Sequence, residues 1–385
     1  MRLLEKVIRA SFLSGEEAHY LGKGKIMARI NSTNASEHSY PVYGRQFKSY
    51  RWYKPILVFI LFAIIYLILG MILTFAVAAV SGVGLGGVTG ETATNIFSDS
   101  YDDMDLANTW QNVVSLGSVA LMIPALWLAS KIVRDRPFSS YSSSRGGWSS
   151  KVFWRVFPIA FLCISAPILV DNLLIEHRLD DFQMKFTIGS LVVLTILGPL
   201  QCIAEEYAFR ALLMQTFGSW FRIPVIAVIL QSVVFVTMHP YDTLGKVEIF
   251  ITGMVFAVTA WLGRGIEVSA AFHICNNMTI FYLQGLNMAT ISSDSTLESV
   301  IFSSVCGIVY TLIIFIISKK TNWFNKIRRN DVAPWNEKYD AKIARKEAKK
   351  AAKAAKKAEK KGLTVEFEEQ GAHDESAPGK HFKHE

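Results

Sequence analysis

Two adjacent glutamates, Glu205 and Glu206, and an arginine four residues on, Arg210, interrupt an apolar stretch. It runs from Phe186 to Ile203 and resumes at Ala211. At bilayer depth each ionisable side chain costs roughly 2.5–3.5 kcal/mol on the insertion scale. The three together cost on the order of 7–10 kcal/mol unless they pair or line a wet cavity. Glu206 and Arg210 share one helix face at a spacing that allows an ion pair. Glu205 lies about 100° round the helix from Glu206 and can face elsewhere. One carboxylate held by the guanidinium and one left to act as a base is the chemical reading. A charge cluster fixing helix packing is the plainer one, although a single Glu would neutralise Arg210.

Two further polar sets lie in later apolar runs. Phe235 and His239 stand four apart at the end of the run Pro224–His239, just before Pro240. The Phe235 ring can pack under the imidazole and fix it; a histidine at a helix end also serves as an interfacial residue. His273 and Asn277 share one face of the run Val268–Gln284, with Asn276 pointing away from it. Imidazole and carboxamide supply the donors that a developing oxyanion needs. The same pair also serves as interhelical hydrogen-bonding glue.

The elements that must carry these residues are membrane helices. Of 385 residues, 51% are hydrophobic and only 19% are charged, and mean hydropathy is positive. That balance fits an all-α polytopic membrane protein better than a soluble globule. Apolar runs at Pro55–Val80, Val113–Ser130, Val152–Val170, Phe186–Phe217, Pro224–His239, Val247–Gly263, Val268–Gln284 and Val300–Ile317 predict about eight transmembrane helices. Met1–Lys54 carries ten Lys/Arg against four acids, and Ser318–Glu385 carries eighteen against eleven. Basic ends around a net acidic middle place both termini in the cytoplasm and argue against nucleic-acid binding by a basic core. The Lys131–Lys151 loop, with five basic residues, is then internal. Ser81–Asn112, with Asp99, Asp102, Asp103 and Asp105 and no Lys or Arg, is external.

The chain divides on this reading into a polar cytoplasmic leader without a signal-peptide pattern (1–54), two helices with their loops (55–151), a core (152–317) and a tail (318–385). Glycosylation-like sites at Asn31 and Asn34 fall on the cytoplasmic side and are chance matches. The tail is Lys/Ala-rich over Glu337–Lys361, then acidic. It reads as a solvated helix or a disordered segment, with contact to anionic lipid or RNA as the sharper alternative. Cys163, Cys202, Cys275 and Cys306 lie in apolar runs with no CxxC and read as small core residues.

Glu-Glu-x-x-x-Arg, Phe-x-x-x-His and His-x-x-x-Asn, in that order and in separate apolar runs, resemble the CAAX prenyl protease and bacteriocin-processing family, also called type II CAAX or Abi proteases. The resemblance runs from about Val152 to Ile317. It implies an intramembrane endopeptidase in which a glutamate activates water. Glu205 is then the general base, and His239 orients the water. His273 and Asn277 stabilise the oxyanion, Glu206 and Arg210 support the site, and Phe209 and Phe235 back it. The substrate implied is a peptide or a membrane-anchored protein; the location read from hydropathy and charge is the plasma (cytoplasmic) membrane, and the Gly/Ser loops and Ala/Lys tail read as bacterial.

No cofactor is expected. Zinc is the alternative, on Glu205, His239 and His273, although His-Glu-x-x-His is missing and Asn277 is a poor zinc ligand. Competing functions are a non-proteolytic membrane protein of the same fold, in immunity or as a scaffold, and a proton-coupled transporter. The transporter would show repeated halves, and none is visible. Span counting leaves one conflict, because it puts Glu205 and His273 near the inner surface and His239 near the outer one. Either Pro224–His239 is not a straight full-width span, or the fourth helix is long and tilted.

Overall fold

The computed structural model describes residues 39–82, 105–239, 241–289 and 295–359. Asn31, Asn34, most of the acidic external loop and the acidic end of the tail lie outside the described residues. By contact the chain divides into two compact units, Met1–Asn336 and Glu337–Glu385. Within the first, eight long helices follow in order: α1 (Lys54–Ser81), α2 (Thr109–Val133), α3 (Ser150–Ile175), α4 (Ile188–Phe221), α5 (Pro224–Thr237), α6 (Thr243–Leu262), α7 (Glu267–Gly285) and α8 (Leu297–Lys320). A further helix, α9, spans Val332–Glu359. Among the described residues there is no strand.

Each of the eight apolar runs is thus a helix. In a bilayer this is forced, because backbone groups have no water to bond to. Local chemistry fixes where the helices begin. Asn108 caps α2 and Ser149 caps α3. Thr187 and Ser190 form a capping box at α4, Asp242 caps α6, and Thr296 and Ser299 box the start of α8. Pro55 and Pro224 occupy first-turn positions in α1 and α5, where the missing N–H costs nothing.

The expected count of about eight spans is not confirmed. Among the described residues six helices are long and apolar enough to cross a membrane: α1, α2, α3, α4, α6 and α8. The 14-residue α5 rises only about 21 Å against a hydrocarbon core of about 30 Å. At 34 residues, α4 rises about 51 Å. Both expected departures in length are present, since α5 is short and α4 is long. The α7 segment is the most polar of the eight, carrying Glu267, Ser269, His273, Asn276 and Asn277. This is a multi-pass membrane protein.

Helix α4 is the hub. Its first part packs on α2 and α7, and its last part on α5 and on the 3-10 turn Tyr40–Gln46; α6 packs on α5, α7 and α8. The loop that connects α2 to α3 is built into the core. Arg136 and Arg145 are buried. Arg145 Nη2 pairs with Glu267 Oε2 at 2.8 Å, and Glu267 Oε1 accepts the Ser149 N–H at 2.7 Å, fastening the start of α7. The Arg145 carbonyl accepts the Arg328 N–H at 2.8 Å. Gly146, at φ +95°, lets the Arg329 backbone pass where a Cβ would collide with it.

Candidate active site

Just after Glu206 the α4 backbone widens into a π-helical turn over Tyr207–Leu213. Such turns cluster at functional sites because they re-aim side chains without ending the helix. Arg210 still reaches back, with Nη1 3.1 Å from Glu206 Oε1, and both side chains are fully buried (0% exposed). The guanidinium sits in the corner of two rings that meet edge-on, 4.4 Å from the Phe235 centroid and 4.7 Å from that of Phe256. Flat apolar faces on two adjacent sides lower the cost of burying a cation.

The two glutamates do not face apart; both reach His273, at opposite edges of its ring. Nδ1 of His273 lies 3.0 Å from Glu206 Oε1, and Nε2 lies 3.4 Å from Glu205 Oε2. Ser269, one turn before His273, donates its hydroxyl to Glu206 Oε2 at 2.5 Å. Gln201, one turn before Glu205, donates Nε2–H to Glu205 Oε1. Glu206 is therefore saturated by a cation, a ring N–H and a hydroxyl. Glu205 meets an amide and the far nitrogen of the histidine.

His239 closes another side. Its Nδ1–H donates to the Phe235 carbonyl at 2.7 Å, which leaves Nε2 as the acceptor nitrogen of the neutral ring. The Phe235 ring packs under it, centroid to centroid 4.5 Å, and Phe209 meets Phe235 edge-on at 4.8 Å. His273 and Arg210 both lie within electrostatic reach of His239. Asn277 Nδ2 stands 3.3 Å from His273 Nε2, and Asn276 Nδ2 donates to Asn277 Oδ1 at 3.0 Å.

Two buried carboxylates from α4 and a half-buried carboxamide from α7 thus meet the buried His273 imidazole, with His239 just past the end of α5 within its electrostatic reach, and the family comparison covers the stretch that carries them. Residues 187–279 match the family model described as Type II CAAX prenyl endopeptidase Rce1-like. This stretch is similar to Rce1-like domains. The chain is also similar to the uncharacterized protein YyaK of Bacillus subtilis (strain 168), 30% identical over 169 residues that cover 40% of this chain. The chain spans about half the length (55%) of that curated relative. No solved structure matches the chain.

The Rce1-like stretch holds every residue singled out by sequence: Glu205, Glu206, Phe209, Arg210, Phe235, His239, His273 and Asn277. It also holds four partners that sequence reasoning missed. Gln201 and Ser269 lie one helical turn before Glu205 and His273, so polar residues at i−4 on the same face were the available signal. Asn276 faces Asn277 rather than pointing away. Phe256, whose ring stacks on His273 at 4.7 Å, carries no signal, being one of 25 phenylalanines in the chain. As for a metal, no group of three or more His, Cys, Asp or Glu donors among the described residues is arranged to hold one.

Proposed function

We propose that the chain is an intramembrane endopeptidase that hydrolyses a peptide bond with water activated by Glu205. The observation that carries this reading is the asymmetry about His273: Glu206 is fixed on one edge of the ring, and Glu205 stands at the other beside Asn277. The Rce1-like match supports the reaction class.

The protonation pattern follows from the contacts. Glu206, paired with Arg210, is an acceptor, so Nδ1 of His273 carries a proton toward it. A neutral His273 then presents only a lone pair at Nε2 and donates nothing there. As an imidazolium it donates Nε2–H. Two carboxylates, a guanidinium and an imidazolium sum to zero charge, the arrangement that low-dielectric surroundings favour. One proton is thus shared across the 3.4 Å between Glu205 Oε2 and His273 Nε2. With it on His273, the site holds a base and an oxyanion donor together.

In the reaction Glu205 takes a proton from water, whose oxygen forms a bond to the scissile carbonyl carbon. His239 Nε2 accepts the second O–H of that water and aims it. The carbonyl oxygen becomes an oxyanion facing Asn277 Nδ2–H and His273 Nε2–H. As the intermediate collapses the C–N bond breaks, and Glu205 returns its proton to the leaving amine. The substrate is a peptide or membrane-anchored protein presented at bilayer depth, in the cytoplasmic membrane. The Lys-rich α9 would meet anionic lipid at the surface.

The test is cleavage by the full chain reconstituted in lipid vesicles, together with a survey of membrane peptides in cells carrying Glu205→Gln. Peptides that accumulate uncleaved at unchanged protein level are expected. Unaltered processing in that variant would remove Glu205 as the base.

A further inference from the structure

Far from the glutamates, at the start of α1, the structure holds an open cavity of about 550 Å³ lined by Arg45, Tyr50, Trp52, Ile56, Ser219 and Trp220. Its walls come from the segment before α1 and from the C-terminal end of α4, which are fastened together. Arg45 Nη1 donates to the Ser219 carbonyl at 2.8 Å, and the Trp220 indole N–H donates to the Trp52 carbonyl at 2.8 Å. The Arg45 guanidinium lies 5.4 Å from the Tyr50 ring centroid. The cavity wall therefore includes an exposed arginine whose guanidinium is held at one nitrogen by the Ser219 carbonyl.

Three features say what the cavity takes. The first is charge. Arg45, Arg136 and Arg222 all lie within electrostatic reach of the Tyr50 hydroxyl. Residues 39–56 include Arg45, Lys48, Arg51 and Lys54 and no acid, and residues 219–223 add Arg222 and no acid. The second is the aromatic rim. Trp52 is 68% exposed, and its neighbours Tyr53 and Phe221 are exposed too. Exposed amphipathic rings belong at a membrane–water interface. The third is the outer face of α1. From Ile56 onward this helix presents Leu57, Phe59, Ile60 and Ile64 outward, an apolar track leading away from the cavity into the bilayer.

We propose that this cavity binds the phosphate of an anionic phospholipid, with Arg45 and Arg222 on the headgroup, Trp52 and Trp220 at its glycerol level, and the acyl chains along α1. A guanidinium is the side chain best matched to phosphate oxygens. Free phosphate shares that chemistry, but the rings and the apolar track fit only a lipid. The site does not depend on the proposed protease chemistry.

Native mass spectrometry of the full chain, released from detergent in an equimolar mixture of phosphatidylglycerol and phosphatidylcholine, tests it. Wild type is expected to retain phosphatidylglycerol in preference, and Arg45→Gln/Arg222→Gln to lose that retention at least tenfold. Trp52→Ala, which keeps the backbone carbonyl bonded to Trp220, should weaken it severalfold and serves if the double variant unfolds earlier in lipid-free detergent. Equal retention by wild type and the folded variants would overturn the site. So would stabilisation by inorganic phosphate that matches that by lipid, which would make it a free-anion site. Retention seen only after deletion of residues 1–38 would show that the chain fills the cavity itself and would overturn it too.

Discussion

Nε2 of His273 and Oε2 of Glu205 stand 3.4 Å apart, both side chains buried. The other nitrogen of the ring is committed to Glu206. One imidazole thus ties the fixed carboxylate to the one proposed to react, and the two glutamates should fail in different ways when replaced.

Glu205→Gln should cut cleavage by about 10²–10⁴-fold, the usual worth of a positioned general base, with little change in thermal unfolding. Glu206→Gln should lose activity and stability together. It leaves Arg210 buried without its ion-pair partner, a change that costs about 3–5 kcal/mol. Paired cleavage and unfolding measurements separate the two. Full proteolysis by Glu205→Ala beside an inactive Glu206→Ala would reverse the assignment.

Arg210→Lys keeps the charge but not the plane. The guanidinium lies 4.4 and 4.7 Å from the centroids of Phe235 and Phe256, and a buried stack of this kind contributes about 1–2 kcal/mol. A lower unfolding midpoint in Arg210→Lys is expected. An unchanged midpoint would leave the stacking without energetic weight.

Asn276 is expected to act through Asn277, whose Oδ1 it holds at 3.0 Å. Asn276→Ala should lower kcat about tenfold with KM nearly constant, the signature of an interaction made in the transition state. In an Asn277→Ala background the same change should do almost nothing, because residues acting as a unit are not additive. Independent effects would break the link.

Cleavage by the reconstituted protein should survive exhaustive chelation, since the site's donors do not cluster for a metal among the described residues. Activity lost on chelation and restored by zinc alone would make Glu205, His239 and His273 a metal site after all.

Asp242 provides a pH test away from the chemistry. The Gly245 N–H at 2.7 Å, with Ser295 and Leu244, holds its carboxyl below the usual range. A carboxyl lowered in the folded state contributes stability that is whole above its unfolded value, near 3.8, and is lost as pH falls through the folded value. The difference in unfolding midpoint between wild type and Asp242→Ala should therefore be constant from pH 7 to about 5 and shrink below 3.8. A gap that persists at the lowest pH would mean the cap acts by shape alone.

Much of the protein can be read from sequence because its rules are local. A long apolar run must be helical in a bilayer, and residues four apart on a helix must be neighbours. Hence the Glu206–Arg210 pair, the Phe235 ring under His239 and the His273–Asn277 contact are all legible from spacing alone. Contacts between helices have no such rule. That both glutamates meet one imidazole, at its two nitrogens, depends on how closely α4 and α7 approach. Gly198 sets that approach: a Cβ there would lie 2.5 Å from Met278 Sδ. That His239 shares the site at all depends on α5 stopping after 14 residues. The selection of Phe256 to cover both Arg210 and His273 is a result of packing α6 against α5 and α7. The chain's local chemistry thus names the candidate groups, and the packing of four helices decides which of them meet.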